Sequence, residues 1–143
     1  MKRMVVGYLF TEDLSEVVLI QKKRPDWQAG KFNGVGGHIE PSDGFPIKAM
    51  IREFKEETGI EFNTWEPLGV MQGGFSWKLY LFTGQMHGLT AGSLQTLTDE
   101  VPKLVPVNAL PNNIVGNLIW MVPLARDKFR DISLSAVRVT YIK

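Results

Sequence analysis

The stretch GGHIEPSDGFPIKAMIREFKEETGI, residues 36–60, joins a glycine-rich segment to a helical pattern. Pro46 stands where a helix tolerates proline best, because the amides of a first turn have no helical partner. Side chains at the i, i+3, i+4, i+7 spacing of one buried stripe follow it: Ile47, Met50, Ile51, Phe54 and Thr58. Gly59 then suits a C-terminal cap. The spacing predicts a helix over residues 46–58.

Three glutamates lie on the opposite face of this predicted helix. Glu53, Glu56 and Glu57 are spaced i, i+3 and i+4, so they share one side. Like charges at these spacings destabilise a helix. One interpretation is a solvated surface eased by Arg52 and Lys55. The other is a set of oxygen ligands for Mg²⁺ or Mn²⁺, whose charge offsets the repulsion. The helix alone leaves both open.

A glycine-rich loop leads directly to the acidic helix. Gly34, Gly36 and Gly37 let the backbone approach a ligand closely, although glycines also serve sharp turns alone. The run GVGG fits neither the dinucleotide-binding fingerprint nor a P-loop, which ends in Lys-Ser/Thr. By itself, therefore, the loop does not identify a ligand.

Taken together, loop and helix resemble the Nudix box, GX5EX7REUXEEXGU, where U is a bulky aliphatic residue. Residues 52–60, REFKEETGI, match it position by position, with Phe54 at an aliphatic place, and the loop glycines match its start. Between Gly37 and the box arginine the chain has one residue more than the box. The box glutamate therefore falls at Asp43 or Gly44.

The resemblance implies a fold as well as an activity. We expect an α+β protein, a Nudix-type α/β/α sandwich with a mixed central sheet flanked by helices, formed by residues 1–143 as one domain. Nudix enzymes hydrolyse a nucleoside diphosphate linked to another group, with divalent metal ions on the phosphates. Metal ions stabilise the charge that gathers on the departing oxygens and acidify the attacking water. The resemblance thus implies a Mg²⁺-dependent hydrolase, with Mn²⁺ as the alternative ion.

Metal ligands and catalytic groups follow from the same resemblance. The implied metal ligands are Gly37 through its carbonyl, Glu53, Glu56, Glu57 and Glu100. Glu53 is also the expected base, and Arg52 is expected to orient these carboxylates by a bidentate contact. Glu100 precedes a predicted late strand, at the place of a metal-binding or base-like glutamate in MutT-type relatives. Its other interpretation is a solvated loop charge.

The expected nucleotide contacts lie outside the box. Lys22, Lys23, Arg24, Trp27, Asn33, Phe75 and Asn117 are the candidates. The basic residues would bind phosphate, although such residues more often only form a charged strand end. The two aromatic residues would stack on a base, although Trp and Phe more often pack in the core. Asn33 matches a base-contacting asparagine of MutT-like enzymes.

The expected substrate is a nucleoside triphosphate, (d)NTP or modified (d)NTP, cleaved to a nucleoside monophosphate and pyrophosphate. No acid lies between Glu100 and Asp127, and an amide cannot supply a carboxylic contact, so 8-oxo-dGTP is not favoured. ADP-ribose or dinucleoside polyphosphate hydrolysis is the enzymatic alternative. A nucleotide-binding module without catalysis ranks below both.

Composition narrows the remaining function classes. The chain has no cysteine, which excludes disulfides, thiolate zinc sites and a cysteine nucleophile. Sixteen Lys and Arg against fifteen Asp and Glu leave a net charge of +1, so we expect no stable nucleic-acid partner. The apolar run at residues 4–10 is too short for a membrane span or a signal-peptide core. We therefore expect a cytoplasmic protein without a membrane partner.

Weaker patterns outline the other elements. Strands are predicted at residues 4–10, 17–23, 65–72, 76–86, 103–107 and 132–142, and residues 24–44 are predicted as loop with a short strand around Phe32. Asn112 or Asn113 is expected to cap a second helix that runs to about Phe129. Pro123 is expected to interrupt or kink that helix.

Overall fold

The computed structural model describes residues 1–130 and 134–142. Its strands are β1 (Lys2–Thr11), β2 (Glu16–Gln21), β3 (Phe32–Asn33), β4 (Val35–His38), β5 (Glu66–Gly73), β6 (Trp77–Met86), β7 (Val101–Pro106) and β8 (Val137–Tyr141). Its α-helices are α1 (Pro46–Thr58) and α2 (Leu118–Asp127).

The strands form one mixed sheet in the order β3-β2-β1-β6-β5-β8, with β4 added to β1 and β7 to β2. Strand β1 lies parallel to β6, and β5 lies parallel to β8, while the other pairs are antiparallel. The strands predicted at residues 4–10 and 17–23 form the antiparallel pair β1 and β2, and those predicted at residues 65–72 and 76–86 form the antiparallel pair β5 and β6.

A helix covers each face of the sheet. Along β1, Val5 and Leu9 pack in one apolar cluster with Met50 and Phe54 of α1. Tyr8 and Phe10, on the other face of the strand, pack in a second cluster with α2. Because side chains alternate along a strand, β1 serves two cores. The expected α/β/α sandwich with a mixed sheet is confirmed.

Helix α1 has the predicted bounds. Met50, Phe54 and Thr58 are fully buried, whereas Ile47 and Ile51 are partly buried at the edge of the same cluster. Gly59 ends the helix in the left-handed region, at φ +80°, and its amide donates to the carbonyl of Lys55 at 2.9 Å. This is the glycine cap that the sequence predicts.

The glycine-rich segment is more ordered than predicted. Residues 35–38, expected as loop, form β4 and pair with β1, with Val5 opposite Gly37. A Cβ at Gly36 would lie 1.9 Å from the carbonyl oxygen of Val5. The glycines therefore permit close strand pairing, a role that the strand propensity of the residues does not reveal.

The start of α2 was predicted wrongly. Neither Asn112 nor Asn113 caps it, because the backbone of this segment pairs with Phe32: the amide of Phe32 donates to Asn113 and the amide of Val115 donates to Phe32. The helix begins at Leu118 and continues through Pro123 instead of stopping there. Pro123 leaves the carbonyl of Ile119 without its helical donor, which an exposed residue tolerates because water reaches it.

The last predicted strand is shorter in the structure. Strand β8 covers Val137–Tyr141, and residues 134–136 precede it without regular structure. The part of the prediction on residues 132–133 lies outside the described residues. Strand β7 begins at Val101, two residues earlier than predicted, so Glu100 directly precedes a strand.

Candidate functional site

The carboxylate of Glu53 lies directly against Gly37. Glycine is needed there, since a Cβ at position 37 would lie 2.5 Å from the carboxyl carbon of Glu53. Strand β4 and helix α1 thereby bring together two residues that the sequence assigns to one metal site. Any side chain at position 37 would displace this carboxylate.

Arg52 is the centre of the ion-pair network beside Glu53. Its Nε donates to Oδ1 of Asp43 at 2.8 Å, and its Nη2 donates to Oδ2 of Asp43 at 2.9 Å. Its Nη1 donates to Glu53 at 3.0 Å and to Glu56 at 3.3 Å. The bidentate contact expected with the helix carboxylates is thus made with Asp43, while Nη1 alone contacts one oxygen of Glu53 and both oxygens of Glu56.

Asp43 is the residue that sequence reasoning left undecided. Its Oδ2 also accepts from the amide of Glu40 at 2.7 Å, which fixes the turn before α1. The guanidinium of Arg52 holds the pKa of Asp43 below its ordinary value. Gly44, the other candidate position, has φ +80° and no side chain. The loop acid of the box therefore corresponds to Asp43, and Gly44 turns the backbone.

The carboxylate face, which we define as Glu53, Glu56 and Glu57 on α1, is unevenly buried. Burial raises the pKa of Glu53, and Arg52 opposes that rise. Burial likewise raises the pKa of Glu57, which accepts from the hydroxyl of Thr98 at 3.1 Å. Glu56 is exposed. Two of the three carboxylates are thus desolvated next to like charges, an arrangement that a cation would stabilise.

Glu100 faces the same region from the loop before β7. Its residue is 5% exposed, so the interpretation as a solvated loop charge is wrong. Its Oε1 accepts from Nζ of Lys22 at 3.1 Å, and its Oε2 accepts from the amide of Lys23 at 2.7 Å. This carboxylate therefore anchors the end of β2, and its charge contributes to the raised pKa of Glu57.

The three basic candidates have different surroundings. Lys22 pairs with the buried Glu100, and Arg24 pairs with the exposed Asp99. The ammonium group of Lys23 makes no ion pair with the part of the chain that the structure describes. A cavity of about 220 Å³ lies beside these residues, lined by Gln21, Lys22, Lys23, Ala29, Gly30 and Val101. Lys23 is therefore the basic residue best able to receive phosphate.

The larger cavity, of about 550 Å³, is remote from the carboxylate face. It is lined by Thr11, Glu12, Asp13, Ser15, Glu16, Gly88 and Leu89. Most of these residues follow β1 at its carboxyl end, and Gly88 and Leu89 follow the parallel strand β6, whereas Gly37 pairs with Val5 near the start of β1. Size alone would thus select the end of the sheet away from the charged network around Arg52.

The amide group, defined as Asn33 and Asn117, comes from two separate segments. Asn33 donates from Nδ2 to Oε1 of Gln28 at 3.0 Å, and its Oδ1 accepts from the amide of Gly34 at 2.8 Å. Asn117 precedes α2, and its Nδ2 lies 3.6 Å from the sulfur of Met71. Both side chains are half-buried, so each is held while part of its surface stays accessible.

The two aromatic candidates are exposed. Trp27 is 62% exposed in a short 3₁₀ turn, and Phe75 is 93% exposed in the turn between β5 and β6. The core packing that their residue types favour is therefore absent. Their stacking on a base stays a prediction.

The donors of this site suit Mg²⁺ by type. Carboxylate and carbonyl oxygens are its usual protein ligands. Across residues 1–130 and 134–142, however, no three acidic or histidine side chains are arranged to hold a metal ion. Instead, the carboxylates accept hydrogen bonds from other side chains. Arg52 donates to Glu53, Thr98 donates to Glu57, and Lys22 donates to Glu100. The residues therefore fit the ion by donor type. Glu53 and Glu57 are partly buried carboxylates, and a cation would offset their negative charge.

Comparisons with known proteins agree with this architecture. The family profile described as NUDIX domain matches residues 1–124. A curated nudix hydrolase of Caenorhabditis elegans is 33% identical over 88 residues, which are 62% of this chain and 23% of that protein. The chain thus spans about a quarter of the length of that relative. In the described part of the chain, no helix is long and apolar enough to cross a membrane.

Solved structures share the fold at low identity. The NUDIX domain of Shewanella oneidensis NrtR, complexed with ADP ribose, has a TM-score of 0.73 at 20% identity, covering 89% of this chain and 87% of that one. A MutT structure from a study of Aliivibrio salmonicida and Vibrio cholerae has a TM-score of 0.63 at 20% identity, covering 90% and 98%. A NUDIX hydrolase of Nitrosomonas europaea has a TM-score of 0.73 at 18% identity, covering 99% and 79%. With the family match over residues 1–124, these observations show that the chain belongs to the NUDIX family.

Proposed function

We propose that the chain is a Mg²⁺-dependent pyrophosphohydrolase that cleaves a nucleoside triphosphate, (d)NTP or modified (d)NTP, to a nucleoside monophosphate and pyrophosphate. The observation that carries this proposal is the contact between Glu53 and Gly37 beside two further glutamates of α1. A surface helix has no need to bury carboxylates next to like charges, because exposure would relieve the repulsion. Binding a cation is the function that best accounts for the unfavourable burial of these carboxylates next to one another.

The proposed metal ligands are Gly37 through its carbonyl, Glu53, Glu56, Glu57 and Glu100. When bound, Mg²⁺ or Mn²⁺ supplies charge stabilisation on the phosphates and a more acidic water. Glu53 is the proposed base, since the burial that raises its pKa also makes it a better proton acceptor. Arg52 orients Glu53 and Glu56, and Asp43 in turn fixes Arg52.

Glu100 has a second role in this proposal. Both of its oxygens are engaged at the end of β2, by Lys22 and by the amide of Lys23. It therefore holds the basic residues beside the carboxylate face. We assign phosphate contacts to Lys22, Lys23 and Arg24, with Lys23 first because Lys22 and Arg24 have carboxylate partners.

The nucleoside would be read by neutral groups. Asn33 and Asn117 are proposed base contacts, with Trp27 and Phe75 as stacking groups. An amide both donates and accepts, so it can recognise a base edge without a charge. This assignment disfavours substrates that need a carboxylic contact, 8-oxo-dGTP among them. We place the reaction in the cytoplasm and expect no stable nucleic-acid partner.

ADP-ribose is the second candidate substrate. The supporting observation is that the similar NUDIX domain of NrtR is complexed with ADP ribose. ADP-ribose also contains a nucleoside diphosphate linked to another group, so the same carboxylate face would serve. A dinucleoside polyphosphate is equivalent in this respect. A nucleotide-binding module without catalysis ranks last, because it would leave the desolvated glutamates without a purpose.

A substrate panel tests the proposal. The protein is incubated with Mg²⁺ and, separately, the common ribo- and deoxynucleoside triphosphates, 8-oxo-dGTP, ADP-ribose and diadenosine polyphosphates, and the products are separated by ion exchange. The expected result is a nucleoside monophosphate and pyrophosphate from at least one triphosphate. Cleavage of ADP-ribose or dinucleotides alone would establish the second candidate. Binding without any cleavage would establish the inactive module.

A further inference from the structure

The loop that leads from β2 to β3 is held in place at several points. The amide of Gly30 donates to the carbonyl of Lys22, and the amide of Lys22 donates to the carbonyl of Lys31, both at 2.8 Å. The carbonyl of Gly30 accepts from the side chains of Gln21 at 3.1 Å and Asn113 at 3.0 Å. The loop is thereby tied both to β2 and to the segment before α2.

Gln28 has a defined place in this loop. Its amide donates to the carbonyl of Pro25, and its carbonyl accepts from the amide of Lys31, both at 2.8 Å. Backbone bonds on both sides fix where its side chain begins. The side chain is half-buried, and its Oε1 accepts from Nδ2 of Asn33 at 3.0 Å.

Asn33 is therefore held from two directions. The amide of Gly34 can only donate, so the side-chain atom it contacts at 2.8 Å is the Oδ1 acceptor. Oε1 of Gln28 then accepts a hydrogen bond from one of the two N–H groups of Nδ2. The bond to Gly34 is local, between adjacent residues, whereas the bond to Gln28 crosses from the loop. Gln28 is the contact that fixes the amide relative to its surroundings.

What remains of the Asn33 amide is one N–H donor and one acceptor site on Oδ1. We infer that Gln28 is a positioning residue for base selection: it fixes the Asn33 side chain so that this donor and acceptor meet the base of the nucleotide in one orientation. A preorganised amide discriminates among bases because a base with the wrong pattern leaves a polar group unpaired. This inference rests on the proposed function, in which Asn33 contacts the base.

The test compares three variants with the wild type. Gln28→Met removes the acceptor at similar length, and Gln28→Glu retains an acceptor for Asn33. Gln21→Met is the matched control, since it removes another side-chain bond of the same loop, to Gly30, without contacting Asn33. For each protein, kcat and KM are measured with Mg²⁺ on nucleoside triphosphates that differ only in the base, and the affinities of the corresponding monophosphates are measured by calorimetry without metal.

Gln28→Met is expected to raise KM for the preferred nucleotide about fivefold, the loss of roughly one hydrogen bond, and to reduce the ratio of affinities between bases. Its kcat should change less than about twofold, because the carboxylate face is untouched. Gln28→Glu should keep the wild-type preference, and so should Gln21→Met. A uniform weakening for all bases would indicate a structural role only and would overturn the inference.

Failure of the inference differs from failure of the proposed function. If the wild type cleaves triphosphates but shows no base preference, or if Gln28→Met keeps that preference, the inference is wrong and the hydrolase stands. If the wild type cleaves no triphosphate, the proposed function is wrong. The monophosphate affinities then decide on Gln28 alone: an unchanged ratio between bases in Gln28→Met rejects the positioning role, and a reduced ratio supports it.

Discussion

The carboxylate face and the amide group are built in opposite ways. Glu53, Glu56 and Glu57 project from one helix; Glu53 and Glu57 are partly buried, and a single arginine contacts Glu53 and Glu56. Asn33 and Asn117 are neutral and come from segments far apart in the chain, which are joined where Phe32 pairs with residues 113–115. A helix fixes the distances among the carboxylates, whereas the amides depend on how loops pack. Substitutions in the carboxylate face should therefore reduce the rate of hydrolysis, and substitutions in the amide group should reduce the selectivity among bases.

The largest expected effect comes from the carboxylate face. Glu53→Gln keeps the shape of the side chain but removes its charge and its ability to accept a proton. We expect kcat to fall by about 100-fold or more, in the range typical of a lost general base. Steady-state kinetics on the best triphosphate measures it, with thermal unfolding as a check on folding.

Glu61→Gln is the control for this prediction. Its carboxylate follows α1, is 61% exposed and contacts Lys55 at 3.6 Å, away from Gly37. Removing that charge should leave kcat within about twofold, since exposed ion pairs contribute little. Full turnover by Glu53→Gln would overturn the roles assigned to this face.

Asp43 should have an intermediate effect, because it acts on the carboxylate face through Arg52. Asp43→Asn retains one acceptor but removes the charge that receives two guanidinium bonds. We expect kcat to fall about 10-fold and the free energy of unfolding to fall by about 1.5–3 kcal/mol, the range for hydrogen bonds to charged groups. Urea unfolding and steady-state kinetics measure the two quantities.

Glu40→Gln distinguishes the positioning of Arg52 by Asp43 from a general effect of removing a negative charge near Arg52. Glu40 also faces Arg52, but at 3.7 Å and from a side chain that is 57% exposed. Its replacement should change the free energy of unfolding by less than about 1 kcal/mol. If Asp43→Asn behaved like Glu40→Gln, the proposed positioning of Arg52 by Asp43 would be rejected.

The smallest effect is expected at Asn117. Asn117→Leu removes the amide and keeps a side chain of similar size beside Met71. KM should rise about threefold with kcat unchanged, because only a base contact of about one hydrogen bond is lost. The exposed Asn112 provides the control, as Asn112→Leu should leave both constants unchanged. A loss of kcat at Asn117 would remove the distinction between the two regions.

Patterns confined to neighbouring residues predicted much of the fold. The bounds of α1, its glycine cap and the strand hairpins follow from side-chain periodicity, which short stretches of chain contain in full. Strand β4 did not follow, because two of its four residues, Gly36 and Gly37, are glycines and have no side chain to show a pattern. The start of α2 depends on the pairing of Phe32 with residues 113–115, a contact that no local pattern contains.

The site shows the same division. The spacing of the glutamates placed them on one face, and the resemblance placed Gly37 nearby, as the structure has them. The partners of those groups were not predictable in the same way. Arg52 meets Asp43 across an insertion, and Lys22 meets Glu100 across 78 residues of sequence. Ion pairs of this kind depend on tertiary packing, so a sequence can name the charges without pairing them.

Binding of Mn²⁺ to the carboxylate face is the most direct test of the account. Free Mn²⁺ is followed by electron paramagnetic resonance as protein is added, with Mg²⁺ as the competitor, for the wild type, Glu57→Gln and Glu61→Gln. We expect saturable binding that Mg²⁺ displaces, an affinity at least about 10-fold lower in Glu57→Gln, consistent with the loss of a charged ligand, and no change in Glu61→Gln. Equal Mn²⁺ affinity in all three proteins would contradict the assignment of these glutamates as metal ligands.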